Sequence, residues 1–137
     1  MYNLDYIEKK QNIKLPEEYK QLYQSSFKEF GSRLEIHVNE DIFCIIKFLS
    51  ASEINDTLDE FYDFFGYDIV PIAETEYEDY ICLNYRDNAK NPTIIYWDYE
   101  LVLEGSTEGI SVLYGSIHEF ITNLLNFPTC KDRCAAR

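Results

Sequence analysis

A chain of 137 residues with 46% hydrophobic and 27% charged residues suits one folded domain and excludes a disordered or collagen-like protein. It carries 25 acidic against 12 basic residues, a formal charge of −13, which disfavours nucleic acid or an anionic membrane as a direct partner. Aromatic residues reach 16%, with 12 Tyr, 9 Phe and one Trp, and tyrosine serves both cores and wet interfaces.

In chain order, the first expected helix covers residues 3–13, anchored by Leu4 and Ile7 with Asn3 as cap. The second, 16–30, is stronger. Leu15, Tyr19, Leu22, Tyr23, Phe27 and Phe30 recur at spacings of three and four, Pro16 and two glutamates open it, and Gly31 ends it. Two strands follow, 33–38 with apolar and polar residues alternating, and 42–48, so apolar that both faces should be covered. A third helix over 51–65 carries Ile54, Leu58, Phe61 and Phe65, with Ser50 and Glu53 at capping-box spacing and Gly66 as its stop. Strands are expected at 68–73, 78–85 and 92–98, then a short one from Gly109 to Tyr114. A last helix over 117–126 is capped by Ser116 and Glu119. Short links between consecutive strands favour antiparallel pairing, so the expected class is a single α+β domain over 1–128 with a flexible tail, 129–137. The expected core is Tyr19, Leu22, Phe27, Ile54, Leu58, Phe61, Ile81, Leu83, Ile95, Phe120 and Leu124.

No stretch approaches the roughly 18 apolar residues of a membrane span. The start, Met1-Tyr2-Asn3-Leu4-Asp5, lacks the basic and then apolar run of a signal peptide. The expectation is a cytoplasmic protein with its four cysteines, Cys44, Cys82, Cys130 and Cys134, reduced.

Catalytic patterns are lacking. There is no glycine-rich phosphate loop, and Gly105-Ser106-Thr107-Glu108-Gly109 places serine too early for a nucleophile elbow, so it reads as a loop. His37 and His118 have no partnered nucleophile in view. Cys130-x-x-x-Cys134 is neither a redox pair nor half of a zinc site. Glu74-Thr75-Glu76-Tyr77-Glu78-Asp79 lacks the glycine and terminal glutamate of an EF-hand. No cofactor, no metal and no catalytic residue are therefore expected.

The distribution of charge is more informative. Residues 48–130 hold 16 acids against Arg86 and Lys90, a net of −14. Glu74, Glu76, Glu78 and Asp79 crowd around Tyr77 and Tyr80, while Asp98 and Glu100 follow Tyr96 and Trp97. A solvated surface is one reading. The other is a protein-binding face for a basic partner, formed by Glu74, Glu76, Tyr77, Glu78, Asp79, Trp97, Asp98 and Glu100, with Trp97 either anchor or core.

The order of motifs resembles the SUKH superfamily, which groups bacterial immunity proteins against polymorphic toxins with fungal cell-wall regulators. The resemblance runs from about residue 4 to 126. It rests on Leu15-Pro16-Glu17-Glu18-Tyr19-Lys20, Phe48-Leu49-Ser50, Pro71-Ile72-Ala73-Glu74 and Asp79-Tyr80-Ile81-Cys82-Leu83. It continues in Ile94-Ile95-Tyr96-Trp97-Asp98 and Ser116-Ile117-His118-Glu119-Phe120-Ile121. Two turns depart from the family pattern. Phe30-Gly31 replaces an Asn-Gly, and Glu78 stands where a glycine often precedes the aspartate. The resemblance implies a curved, mainly antiparallel sheet flanked by about four helices. It also implies a non-enzymatic protein that binds and neutralises a cognate toxin; the expected state is a monomer or weak dimer. Many such toxins are nucleases, which tend to be basic. The alternative is a SUKH-type adaptor or regulator of another cellular protein; a toxin gene immediately upstream would separate the two.

Overall fold

Caps and charge placement start the helices. In a computed structural model, which describes residues 3–24, 34–38, 40–105 and 109–124, the first helix, α1, spans Leu4–Gln11. Asn3 Oδ1 accepts the Tyr6 N–H at 2.9 Å. Asp5 lies in the first turn and Lys9 and Lys10 in the last, each at the end the helix dipole favours. Within the described residues α2 spans Glu17–Gln24, and the Pro16 carbonyl just ahead of it accepts the Lys20 N–H. Its expected continuation through Phe27 and Phe30 lies outside the described residues. α3, Ala51–Glu60, opens on the Ser50–Glu53 capping box with both halves formed. The single helix expected over 51–65 breaks at Phe61, whose ψ of 32° is not helical, and resumes as α4, Tyr62–Phe65. A five-residue helix, α5, Tyr99–Leu103, has no counterpart among the sequence expectations. In α6, Ile117–Leu124, Ser116 Oγ accepts the Glu119 N–H at 3.2 Å, while the Glu119 carboxylate takes the Gly115 N–H.

The strands are β1 (Leu34–Val38), β2 (Asp41–Phe48), β3 (Ile69–Thr75), β4 (Tyr80–Asn84), β5 (Thr93–Trp97) and β6 (Ile110–Tyr114). They form one sheet in chain order, with every neighbouring pair antiparallel. This is the α+β class and sheet expected from the sequence. The register shifts between Pro71 and Ala73, so the proline sits at a bulge, where a missing N–H is tolerated inside a sheet. A second shift lies between Ile45 and Lys47 of β2. Bulges add twist, which bends the sheet.

Alternation along the strands gives the sheet two faces. Tyr80 and Trp97 are register partners and meet Phe61 and Phe65 from the α3–α4 side. Ile94, one of the oppositely pointing set, pairs with Tyr114, whose ring lies 5.8 Å from Phe120 of α6. Of the expected core, Tyr19, Ile54, Leu58, Phe61, Ile81, Leu83, Ile95 and Phe120 are buried, and Leu22 is half-buried against them. Phe27 and the Leu124 side chain lie outside the described residues.

Two expectations need correction. β2 is not covered throughout: Asp41, Ile42 and Lys47 are exposed, because the first two extend beyond the β3 pairing and are held by β1 alone, and a bulge lies near Lys47. Nor are all cysteines reduced. Cys82 is a free, buried thiol whose pKa is pushed up by desolvation, but Cys44 is disulfide-bonded. The expectation of reduced thiols rested on an inferred compartment and carried no geometric content. Cys130 and Cys134 lie outside the described residues.

Candidate functional site

The β3–β4 connection is built on Thr75. Its N–H donates to the Asp79 carbonyl at 2.9 Å, and its carbonyl accepts the Glu78 N–H at 3.2 Å. Its Oγ1 accepts the N–H groups of Tyr77 and Asp79 at 3.4 and 3.3 Å. The Glu76 N–H reaches the Cys44 carbonyl at 3.1 Å, which ties the turn to β2. Glu78 adopts φ 65°, the left-handed region where glycine is at ease, which costs a residue with a Cβ about 1–2 kcal/mol.

Beside this turn the chain leaves β5 and enters α5. Asp98 Oδ1 caps the helix by accepting the Leu101 N–H at 3.0 Å, and the Asp98 N–H donates to the Gly109 carbonyl at 2.7 Å. Gly109 is a steric requirement here: a Cβ would stand 2.5 Å from Val102 Cγ2. Asp79 joins turn and helix. Its Oδ1 accepts the Tyr99 N–H at 2.7 Å and its Oδ2 accepts the Tyr96 hydroxyl.

Burial raises the Asp79 pKa. The two hydrogen bonds oppose that rise, and the charges of Asp98 and Glu100 add to it. The Tyr96 hydroxyl is held above its ordinary value by its own burial and by the same bond. Glu74 also titrates high, chiefly from burial, although Lys47 pulls it down. Lys47 itself is engaged by the Glu53 carboxylate at 2.6 Å.

The structure thus brings most of the sequence-expected residues to one end of the sheet. Glu74 and Glu76 are half-buried, Tyr77 and Glu78 exposed, Asp98 half-buried and Glu100 exposed. Among the described residues neither Glu78 nor Glu100 forms an ion pair. Two members of the set are not surface groups. Asp79 is only 5% exposed, because its carboxylate is spent on Tyr96 and Tyr99. Trp97 is fully buried among Phe61, Phe64, Phe65, Tyr80 and Tyr99, so it is core and not anchor.

Other residues join the site without any signal in the sequence. Phe43 packs edge-on against Tyr77 at 5.6 Å and at a tilt against Tyr96 at 4.7 Å, so Tyr77, 56% exposed, rests on an aromatic pair. Ile42 beside it is exposed. Phe43 looks in sequence like any member of an apolar strand; its place under Tyr77 follows from the β2–β3 pairing. His118 pairs with Glu18 at 2.9 Å on the surface, away from this end. Among the described residues no three His, Cys, Asp or Glu side chains gather as a metal site would require, and no helix is long and apolar enough to cross a membrane.

The fold and this surface define a helix-flanked antiparallel-sheet domain whose most distinctive chemistry is an acidic, tyrosine-bearing sheet end. The chain belongs to the SMI1 / KNR4 family (SUKH-1), whose model matches residues 3–123. Proteins of this family are generally non-catalytic immunity or regulatory proteins that bind partner proteins. No curated protein and no solved structure matches the chain.

Proposed function

We propose that the chain is a non-enzymatic immunity protein of the cytoplasm, a monomer or weak dimer, that binds and neutralises a cognate toxin with a basic surface, such as a nuclease domain. The observation that supports this most is the acidic sheet end itself, where Glu76 and Glu78 flank an exposed tyrosine packed on Phe43 and Glu100 is exposed on the adjoining α5. A nuclease must attract a polyanion and so presents positive charge. An acidic inhibitor is steered onto such a surface quickly and covers it against substrate. In this reading Tyr77 is the anchor, since a ring already packed on Phe43 loses little freedom on binding. Glu76, Glu78 and Glu100 steer, Glu74 and Asp98 border the patch, and Asp79 and Trp97 support it from beneath.

Co-purification from the native host identifies the partner, and surface-plasmon kinetics at several salt concentrations, paired with growth rescue, test the mechanism. The expected result is a basic toxin whose association slows as salt rises. An acidic partner, or association indifferent to salt, overturns the proposal.

A further inference from the structure

α5 carries Glu100 and is capped by Asp98, yet its five residues include none that is buried. So short a helix has little stability of its own, and its placement depends on the contacts at its start. There the Tyr99 ring packs on Phe61 and Trp97, Asp98 caps the first turn, and Asp79 holds the Tyr99 N–H. The Asp79 backbone is fixed on both sides by Thr75, through the Thr75 N–H to its carbonyl and its own N–H to Thr75 Oγ1. Its carboxylate then spans two elements, the Tyr96 hydroxyl of β5 and the N–H of Tyr99, first residue of α5. A buried carboxylate is costly to desolvate, and charge-assisted bonds of this kind are about twice as strong as neutral ones.

We propose that Asp79 is the positioning residue of the acidic surface: its carboxylate latches the start of α5 to the β3–β4 turn and so sets where Asp98 and Glu100 stand relative to Glu76, Tyr77 and Glu78. The consequence for partner binding rests on the function proposed above; the latch itself does not.

The latch is also sensitive to protons. The groups that act on the Asp79 carboxylate are Tyr96 from β5, the Tyr99 N–H, Asp98 at the cap of α5 and Glu100 within it, with Glu78 adjacent in the turn, and among the described residues no base acts on it. Asp79 therefore takes up a proton at higher pH than an exposed aspartate does. Protonation turns the bond to Tyr99 into a weaker neutral one and loosens α5. A basic partner docked on Asp98 and Glu100 favours the ionised carboxylate, so binding weakens as pH falls through the Asp79 transition.

Trp97 is the chain's single tryptophan, and its ring lies 6.4 Å from that of Tyr99, so its emission reports the seating of α5. The experiment follows Trp97 emission against pH and amide hydrogen exchange by NMR in wild type, Asp79→Ala, Asp79→Asn and Tyr96→Phe, with decalysine peptide as binding probe. Loss of the latch in Asp79→Ala is expected to speed Tyr99 exchange about tenfold while Ile81 and Leu83 in β4 stay protected, and to weaken decalysine binding several-fold. Asn still accepts from Tyr99, so Asp79→Asn is expected to keep slow exchange there but lose the pH-dependent step in Trp97 emission. Tyr96→Phe, which removes one bond and no charge, is expected to keep the step. Unchanged Tyr99 exchange in Asp79→Ala, or a step that survives in Asp79→Asn, overturns the latch. So does a collapse of protection across β4 and β5 together, which makes Asp79 a general stabiliser. If latch and step behave as expected but decalysine does not bind wild type, the latch stands and the proposed partner surface fails.

Discussion

Two aromatic regions lie within a few residues of each other and are used in opposite ways. Around Trp97, the rings of Phe61, Phe65 and Tyr80 close from the sheet and from the α3–α4 side until the indole is fully buried. Around Tyr77, the phenol packs on the ring of Phe43, itself stacked against Tyr96, and stays more than half exposed. Both regions are acidic and aromatic in sequence. The difference is that Trp97 sits on a central strand under a helical layer, whereas Tyr77 sits at the tip of a turn, beyond any cover. One region holds the fold and the other is free to meet a partner, so the same change of aromatic to alanine should have opposite signatures in the two.

The largest effect belongs to the buried region. Trp97→Ala and Phe120→Ala are each expected to cost about 3–5 kcal/mol, read from urea denaturation, while Leu22→Ala, at a half-buried site, costs less. Loss of under about 0.5 kcal/mol at Trp97 would erase the contrast with Tyr77. Next comes Tyr77→Ala, which should leave stability within about 0.5 kcal/mol but weaken toxin binding by about 2 kcal/mol, mostly through a faster off-rate. An unchanged off-rate would make Tyr77 an ordinary surface residue. The triple reversal Glu76→Lys, Glu78→Lys and Glu100→Lys is expected to slow association about tenfold at low salt, with the gap closing as salt rises and the melting temperature nearly unchanged. Glu74 is left out of that set because it is half-buried beside Lys47. Smallest is the turn itself. Glu78→Gly relieves the left-handed strain at the cost of a looser unfolded chain, for a net gain of about 0.5–1 kcal/mol; Glu78→Val at the same φ should destabilise. A loss on Glu78→Gly would show that the glutamate side chain contributes more than its backbone costs.

Helix starts were legible because capping is local: Ser50 with Glu53 and Asn3 with Tyr6 lie within one turn of chain, and the structure forms both. α5 was not, since a five-residue helix with no buried side chain leaves no periodic apolar signature. The disulfide of Cys44 was likewise invisible, because pairing of distant cysteines follows from the fold and not from spacing.

What the sequence determined by itself is whatever depends on near neighbours and on totals: the α+β class from alternating periodicities, the helix caps, the concentration of charge after residue 48, and the family through the order of its motifs. What only the tertiary structure decided is which of the acidic and aromatic residues face water. Glu78 and Asp79 are adjacent in the chain, yet one carboxylate is exposed and the other holds Tyr96 and Tyr99 inside the protein. That choice depends on strand register and on where α5 returns over the turn. Both are set by contacts between residues about twenty positions apart, which a local pattern does not encode.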